Sequence, residues 1–126
     1  MGTGVVNLIV YQKSFGLAIN IFSASKGFPK EEKYSLADQV RRSSRAVCSN
    51  LGEAYRKRIY EAHFISKVSD ADMENTETQV WLEFARSCQY LGEEEFTKLT
   101  EKSKEIGKLL DYYMHNPALF RRKSDK

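Results

Sequence analysis

The scarcity of proline restricts the fold of this chain more than any other feature. Its two prolines are Pro29 and Pro117, and proline is excluded from helix interiors because it lacks an N–H donor and clashes with the preceding turn. Two stretches, 1–28 and 30–116, are therefore open to helix formation. The second is too long for one globular helix, so it must contain turns. Strand-like alternation does not occur over any useful length, and the sequence predicts an all-α protein.

Apolar residues recur at helical spacing in four segments. The segments span about 5–26, 35–58, 60–90 and 93–114. Gly92 stands where a glycine would end the third helix in the left-handed conformation. Four helices of about 20 residues with short loops predict an antiparallel up-down-up-down four-helix bundle. We expect one domain over 1–116, followed by a short basic tail, 117–126.

The same periodicity predicts the residues that face the core. In the first segment they are Leu8, Tyr11, Phe15, Ala18 or Ile19, and Phe22. In the second they are Leu36, Val40, Val47, Leu51 and Ala54. In the third they are Phe64, Val68, Ala71, Asn75, Thr78, Leu82 and Ala85. In the fourth they are Phe96, Leu99, Ile106, Leu109, Leu110 and Tyr113.

Two segments carry more apolar surface than a single bundle can cover. The surplus residues are Val10, Leu17 and Ile21 in the first segment and Val80, Trp81 and Phe84 in the third. One apolar stripe per helix is enough for a monomeric bundle, so we predict that these six residues contact a neighbouring subunit. For Trp81 and Phe84, packing in the core or an interface is favoured over base stacking.

The second segment has a basic face opposite its apolar residues. Six Lys and Arg against two acidic residues give a net charge of +4 over 35–58, and six acidic residues against Lys67 and Arg86 give −4 over 59–92. Basic residues of this segment and of the tail are candidate phosphate contacts. They are Arg41, Arg42, Arg45, Arg56, Lys57 and Arg58, with Arg121, Arg122 and Lys123 in the tail. The overall charge of +3 is too small to indicate nucleic acid by itself.

An alternative stays open for the arginines in the middle of this helix. Carboxylates of the third segment can neutralise Arg41, Arg42 and Arg45, because consecutive helices are neighbours. These carboxylates belong to Asp70, Asp72, Glu74 and Glu77. The residues 56–58 lie at a helix end and are expected to face solvent.

Asn50 and Glu53 are polar residues close to the bundle-facing side of the second segment. Glu53 either pairs with Arg56 or Lys57 one turn later, or makes a contact between helices or subunits. We assign Asn50 and Glu53, together with the Glu74 and Glu77 carboxylates, to structural polar contacts or ion pairs.

Known catalytic and metal-binding patterns are absent from the sequence. A di-iron bundle needs Glu three residues before His, but Tyr60 precedes His63 and Tyr112 precedes His115 at that spacing. There is no glycine-rich phosphate loop and no zinc-protease motif. We therefore expect no enzymatic activity, no metal or other cofactor, and no small-molecule substrate.

The two cysteines, Cys48 and Cys88, are isolated and have no histidine at ligand spacing. We expect both to be small buried thiols in a reducing environment. The beginning of the chain lacks the basic and apolar regions of a signal peptide, and no apolar run approaches the ~20 residues that cross a bilayer. The sequence therefore predicts a soluble cytoplasmic protein without membrane contact.

Three stretches of the sequence carry a resemblance to a known family. They are Phe28-Pro29 with Tyr34-Ser35-Leu36, Gln39 and Arg41-Arg42-Ser43-Ser44; Asn50-Leu51-Gly52-Glu53-Ala54 with Arg56; and Glu74-Asn75-Thr76-Glu77-Thr78-Gln79-Val80-Trp81-Leu82-Glu83-Phe84-Ala85. Together they resemble the four-helix bundle proteins encoded in intervening sequences of bacterial 23S rRNA genes, and the likeness spans about 8–114. The family more often has Asn-Ile-Ala-Glu-Gly where this chain has the stretch 50–54.

The resemblance implies a homopentameric ring of bundles with a basic surface and no known catalytic activity. A related protein, the accessory protein of diversity-generating retroelements, is similar in fold and binds a reverse transcriptase and nucleic acid. We therefore expect a non-catalytic, homo-oligomeric protein that associates with nucleic acid through the basic face of its second helix. RNA is the favoured partner, and DNA is the other candidate. The alternative is a protein-interaction adaptor, for instance for a reverse transcriptase, with no direct role in nucleic-acid binding.

Overall fold

The computed structural model describes residues 4–121 and contains four α-helices and no strand in that range. The helices are α1 (Ile9–Ser25), α2 (Leu36–Arg56), α3 (Glu61–Ser87) and α4 (Glu93–His115). Short 3₁₀ turns span Val5–Asn7, Lys30–Glu32 and Pro117–Phe120. The all-α, four-helix prediction is confirmed.

The α1–α2 connection is shaped by Pro29 and by the carboxylate of Glu32. Proline holds the backbone at φ −64° and ψ 153° just before the Lys30–Glu32 turn, which prevents α1 from continuing. The hydroxyl of Ser35 and the backbone N–H of Leu36 both donate to one oxygen of Glu32. One carboxylate therefore satisfies an unpaired donor at the beginning of α2.

The α3–α4 connection differs from the prediction made for Gly92. The left-handed residue after α3 is Gln89, with φ 66°, while Gly92 has φ −71° and precedes α4 as its N-cap. The N–H of Tyr90 bonds the carbonyl of Ala85 at 2.8 Å, and the N–H of Gln89 bonds that of Arg86 at 3.0 Å. This pair of bonds is a Schellman motif, formed here without the glycine that usually occupies its left-handed position.

The core lies between the four helices, with α2 packed on α1 and α3, and α4 packed on α3 and α1. Every residue predicted to face the core from α2 and α3 is buried. In α4, Leu99, Ile106 and Leu110 are buried, while Phe96, Leu109 and Tyr113 pack against the core and are partly exposed. The prediction of the inner faces is therefore confirmed for three of the four helices.

For α1 most of the predicted assignments are wrong, although Ala18, one of the two alternatives at 18 and 19, is buried, and Leu8 and Tyr11 pack against the core. Val10, Leu17 and Ile21, predicted to contact another subunit, are buried in the core, with exposures of 0%, 3% and 1%. Phe15 and Ile19, predicted to be core, are each 51% exposed. The buried face also includes two serines, and Ser14 donates its hydroxyl to the carbonyl of Val10 at 2.7 Å. Small side chains allow neighbouring helices to approach closely, so the side of α1 that contains the serines packs inwards, although it is less apolar than the aromatic side.

A buried polar cluster joins α2, α3 and α4. The hydroxyls of Ser43 and Thr78 lie 2.8 Å apart. The Asn75 amide donates to the backbone carbonyl of Ser103 at 2.9 Å, and the Ser103 hydroxyl donates to the Asn75 side-chain oxygen at 2.9 Å. Gln79 donates to the Ser103 hydroxyl at 3.0 Å. Because these groups satisfy one another, the cluster favours one register of α3 against α4.

The segment after α4 is part of the packed structure as far as its last turn. Phe120 is 3% exposed, and its ring lies 4.1 Å from that of Tyr113 and 4.7 Å from that of Phe64. The sequence places the end of the folded domain at residue 116. The structure extends the packed part through Phe120, because this aromatic side chain covers the core at one end of α3 and α4.

Candidate nucleic-acid interface

The basic face of α2 is only lightly compensated by other side chains. Arg42, Arg45, Arg56 and Lys57 are exposed, and Arg41 is half-buried. Within residues 4–121, none of these five side chains has an acidic partner within 4.0 Å. Arg42 instead donates a hydrogen bond to a neutral group, the side-chain oxygen of Gln39, at 2.8 Å. The positive charge of this face is therefore available to an external anion.

Two arginines of this face are held against α1. The guanidinium carbons of Arg41 and Arg45 lie 4.9 Å and 5.5 Å from the ring centre of Phe22. Arg41 also donates to the hydroxyl of Ser25 at 2.7 Å. Stacking of a cation on an aromatic ring keeps the charge while it orients the side chain. Arg41 and Arg45 thus form the α1 edge of the basic face.

The predicted neutralisation by α3 carboxylates does not occur through direct ion pairs. Asp70 lies 3.7 Å from Lys67, and one oxygen of Glu74 is buried without a hydrogen-bond partner. Burial raises the pKa of Glu74, with a further contribution from Glu77, while the charge of Arg42 acts in the opposite direction. Burial also raises the pKa of Asp72. In the described part of the chain, Arg41, Arg42 and Arg45 keep their charge uncompensated at contact distance.

Glu53 makes a contact between helices. Its carboxylate lies 2.6 Å from the ammonium of Lys67 on α3, and this hydrogen bond is the main reason why the pKa of Lys67 is raised. Of the two alternatives left open by the sequence, the contact between helices is observed, and pairing with Arg56 or Lys57 is not. Asn50 donates to the carbonyl of Ala46 at 3.0 Å, within its own helix.

Arg58 is not on the surface. It is 9% exposed, its guanidinium carbon lies 4.1 Å from the ring centre of Tyr55, and it donates to the carbonyl of Tyr55 at 2.9 Å. The expectation that residues 56–58 all face solvent is therefore wrong for Arg58, because this side chain folds back over the end of α2. Arg121 is partly buried, and Arg122 and Lys123 lie outside the described residues.

An apolar groove runs between α1 and α2 beside the basic face. It has a volume of about 610 Å³, and we call it the α1–α2 groove. Its walls include Tyr11, Phe15, Ile19, Phe22 and Cys48, and Arg45 stands among the lining residues. It exists because the aromatic face of α1 points outwards while the serine-containing face packs inwards.

A second apolar surface lies on the outer side of α3. Met73, Val80 and Phe84 are 57%, 43% and 54% exposed, and we call these three residues the α3 ridge. The adjacent Trp81 is half-buried, and its ring lies 6.0 Å from that of Phe84. Its indole N–H is buried without a partner. Val80, Trp81 and Phe84, predicted as interface residues, thus reach the surface, unlike the three predicted from α1.

Residues 6–112 match a family model described as 23S rRNA-intervening sequence protein. The chain belongs to this family. A crystal structure of a protein with unknown function, from the S23 ribosomal protein family of Bacteroides thetaiotaomicron VPI-5482, is similar to it, with a TM-score of 0.78 and 30% sequence identity. The similarity covers 85% of this chain and 96% of that one. Among curated proteins, no match was found.

The prediction that both cysteines are buried is partly correct for Cys48 and wrong for Cys88. Cys48 is half-buried, and burial raises its pKa to about 11. Cys88 is exposed. It is the residue after α3, which ends at Ser87.

Residues 4–121 contain no group of three or more His, Cys, Asp and Glu side chains placed to hold a metal ion. None of the helices in this range combines the length and the apolar character that crossing a bilayer requires.

Two exposed tyrosines of this family member were not indicated by the sequence: Tyr34 is 85% exposed and Tyr60 is 57% exposed. Tyr34 lines a cavity of about 390 Å³ together with Trp81, Phe84 and Cys88, between the beginning of α2 and the end of α3. Neither tyrosine lies within a helix, so helical spacing carries no signal for it. Met73, Val80 and Phe84, in contrast, share the outer side of α3 by their spacing, since residues seven and four apart lie on one side of a helix.

Proposed function

We propose that this protein is a non-catalytic, homo-oligomeric RNA-binding protein whose basic α2 face contacts phosphates. The observation that carries the proposal is the set of arginines on α2, chiefly Arg42 and Arg56, that are exposed and have no acidic partner within residues 4–121. Guanidinium groups match phosphate geometry and bind it with two parallel hydrogen bonds. Arg41, Arg45 and Lys57 extend the same face.

We infer further that the four helices form an up-down-up-down bundle. Ser43, early in α2, contacts Thr78, late in α3. Glu53, late in α2, contacts Lys67, early in α3. On α3 and α4, Asn75 meets Ser103, and Arg86 meets Glu93 at 3.0 Å. Both sets fit antiparallel neighbours.

Family membership supports a closed ring of bundles, with five copies as the expected number. A ring multiplies a modest patch: each added site binds within the same RNA at a high effective concentration. The net charge of +3 per chain is too small by itself to bind nucleic acid, but its repetition around a ring produces a stronger positive field. Self-association is thus the part of the proposal that makes the charge sufficient.

The proposal contains no catalytic step, cofactor or small-molecule substrate, and it places the protein in the cytoplasm. One of the two thiols is also unsuited to nucleophilic chemistry near neutral pH. Cys48 has a pKa raised to about 11 by burial, so its thiol stays protonated near neutral pH, and the thiol is the unreactive form.

Titration of a labelled, structured RNA at two salt concentrations tests RNA binding. We expect binding that weakens by at least about tenfold between 50 and 200 mM salt, since each phosphate contact contributes a salt slope of roughly 0.7 to 0.9. Failure to bind at the lower salt concentration would exclude the proposal. An RNA affinity that does not change with salt concentration would show that the basic face is not the contact surface.

A second candidate function is an adaptor that binds a partner protein, such as a reverse transcriptase. The exposed α3 ridge favours it, because contiguous apolar surface marks protein interfaces. The two candidates differ in one experiment. The adaptor function is supported if this protein does not bind RNA on its own but forms a complex with the polymerase that survives nuclease treatment. That result would exclude the first proposal.

A further inference from the structure

The α3 ridge points directly away from the core of its own bundle. At about 100° per residue, Met73, Val80 and Phe84 lie on the side of α3 opposite Thr78 and Leu82, which are buried. The outer side of a bundle helix is ordinarily polar. No other element within residues 4–121 covers this side of α3, so the apolar ridge is open to an external partner.

The α1–α2 groove has the complementary shape and lies on different helices. Phe15 and Ile19, each 51% exposed, form an apolar wall on α1, and Gly52 leaves open space on the α2 side, where a Cβ atom would meet nothing within 4 Å. The groove is therefore a concave apolar surface, whereas the α3 ridge is a row of projecting side chains.

The charges beside the two surfaces are opposite. Arg45 lines the groove and Arg41 lies next to it, stacked on Phe22. Glu77 lies within the α3 ridge, between Met73 and Val80, and Glu83 precedes Phe84. Neither carboxylate has a basic partner within 4.0 Å among residues 4–121. Opposed charges at the edge of an apolar contact set its orientation.

We propose that the occupant of the α1–α2 groove is the α3 ridge of a second copy of this chain. Phe84 and Val80 of one copy pack against Phe15 and Ile19 of the next, and the carboxylates beside the ridge meet the arginines beside the groove. This inference rests on the self-association in the proposed function and names its contact surfaces. Arg42, Arg56 and Lys57 then stay available for phosphates.

The contact is head-to-tail, because the ridge and the groove are different surfaces of the same chain. Each copy uses its ridge towards one neighbour and its groove towards the other, so the assembly closes into a ring or extends as a chain. A dimer that joins two ridges or two grooves does not contain this contact.

Two single substitutions and their mixture test the head-to-tail contact. I19E blocks the groove and F84E blocks the ridge, each at a side chain that is at least half exposed, so folding of the chain is preserved. Each variant alone is expected to have a mass near 14.5 kDa by light scattering. Their equimolar mixture is expected to form a dimer of about twice that mass and nothing larger, since I19E retains its ridge and F84E retains its groove.

The matched control is Y112E, which places the same charge at an aromatic residue of α4 that is 54% exposed and lies outside both surfaces. It is expected to keep the wild-type mass. Circular dichroism of all variants checks that their helix content is unchanged.

Each alternative outcome has a distinct meaning. A mixture that stays monomeric, while the wild type assembles, overturns the head-to-tail contact and leaves self-association standing. A wild type of 14.5 kDa overturns both. If the variants and their mixture have the expected masses but the wild type does not bind RNA, RNA recognition is overturned and the head-to-tail contact stands. Wild-type mass for F84E or I19E shows that another protein, or nothing, occupies that surface.

Discussion

The hydroxyl of Tyr90 donates a hydrogen bond of 3.0 Å to the carboxylate of Glu32. The same carboxylate accepts the hydroxyl of Ser35 and the backbone N–H of Leu36, so it connects the loop after α3 to the beginning of α2. These hydrogen bonds lower the pKa of Glu32, with Ser35 as the largest contributor. The hydrogen bond between Tyr90 and Glu32, with a further contribution from burial, raises the pKa of Tyr90 to about 12.

We predict an acid-dependent loss of stability that depends on Glu32. A carboxylate with a lowered pKa in the folded state contributes stability that is fully present above its unfolded pKa, 4.5 here, and is lost as the pH falls through the folded value. The melting temperature of wild type should therefore fall more steeply than that of E32Q between pH 5 and 3. E31Q, next along the chain and exposed, is the control; equal slopes for all three proteins would contradict the prediction.

The left-handed Gln89 predicts a stabilising substitution. A side chain at φ 66° is strained by about 1–2 kcal/mol relative to glycine, and the greater freedom of glycine in the unfolded state offsets part of the stability gained by removing that strain. Q89G is expected to raise the free energy of unfolding by about 0.5–1 kcal/mol in urea denaturation. Q12G, within α1, should instead lower it by about 1 kcal/mol. Destabilisation by Q89G would show that the Gln89 side chain makes a contact worth more than the strain.

The Asn75–Ser103 cluster predicts a costly pair of substitutions. N75A removes the 2.9 Å acceptor of the buried Ser103 hydroxyl and the amide that donates to the Ser103 carbonyl at 2.9 Å, and loss of buried hydrogen-bond partners costs about 1–3 kcal/mol. S103A has the converse effect. Because both remove the same interaction, their effects on the free energy of unfolding should not add, and the double-mutant coupling should exceed about 0.5 kcal/mol. S49A, at an exposed serine of α2, should change stability by less than about 0.5 kcal/mol.

The two thiols are expected to react with alkylating reagents at different rates. At pH 8 a thiol with a pKa of about 11 is only about 0.1% thiolate, and Cys48 is also half-buried, whereas Cys88 is exposed. Iodoacetamide followed by mass spectrometry should therefore show a fast modification that is lost in C88S and a slow one that is lost in C48S. Equal rates at both sites would contradict the described burial of Cys48.

The basic face predicts a salt-slope change for a specific triple variant. Replacing Arg42, Arg56 and Lys57 with glutamine should lower the salt slope of RNA binding by roughly 2–3, because each lost phosphate contact removes about 0.7–0.9. The matched control replaces Lys98, Lys104 and Lys108 on α4, which are also exposed, and changes the net charge equally. A slope that falls by the same amount in both variants would indicate a general charge effect and no defined contact face.

Every residue that helical spacing placed on the inner faces of α2 and α3 is buried, although α2 also buries Ala37, Ser43, Ser44 and Tyr55, which spacing did not indicate. The same reasoning chose the wrong side of α1. Two parallel apolar stripes satisfy the same periodicity, and the inner one is the stripe interrupted by Ser14 and Ser25. Periodicity weighs apolar character, whereas packing also selects small side chains.

The predicted basic face was partly correct for a similar reason. Helical spacing placed Arg42, Arg45 and Arg56 together on the outer side of α2, and the structure brings them there. Spacing could not show that Arg58 folds back over Tyr55 at 4.1 Å, since that position follows the last residue of the helix. Beyond a helix end, side-chain direction depends on the loop and not on a repeat.

The amino-acid sequence by itself determined the all-α class, the four helices, their family and the basic character of α2, because these follow from local propensity, periodic apolar residues and charge. Only the tertiary structure decided which face of α1 is buried, that Glu53 pairs with Lys67 of another helix, and that an apolar ridge and a separate apolar groove stay uncovered. These features depend on the shapes and distances of residues far apart in the chain, and such residues meet only once the helices have packed.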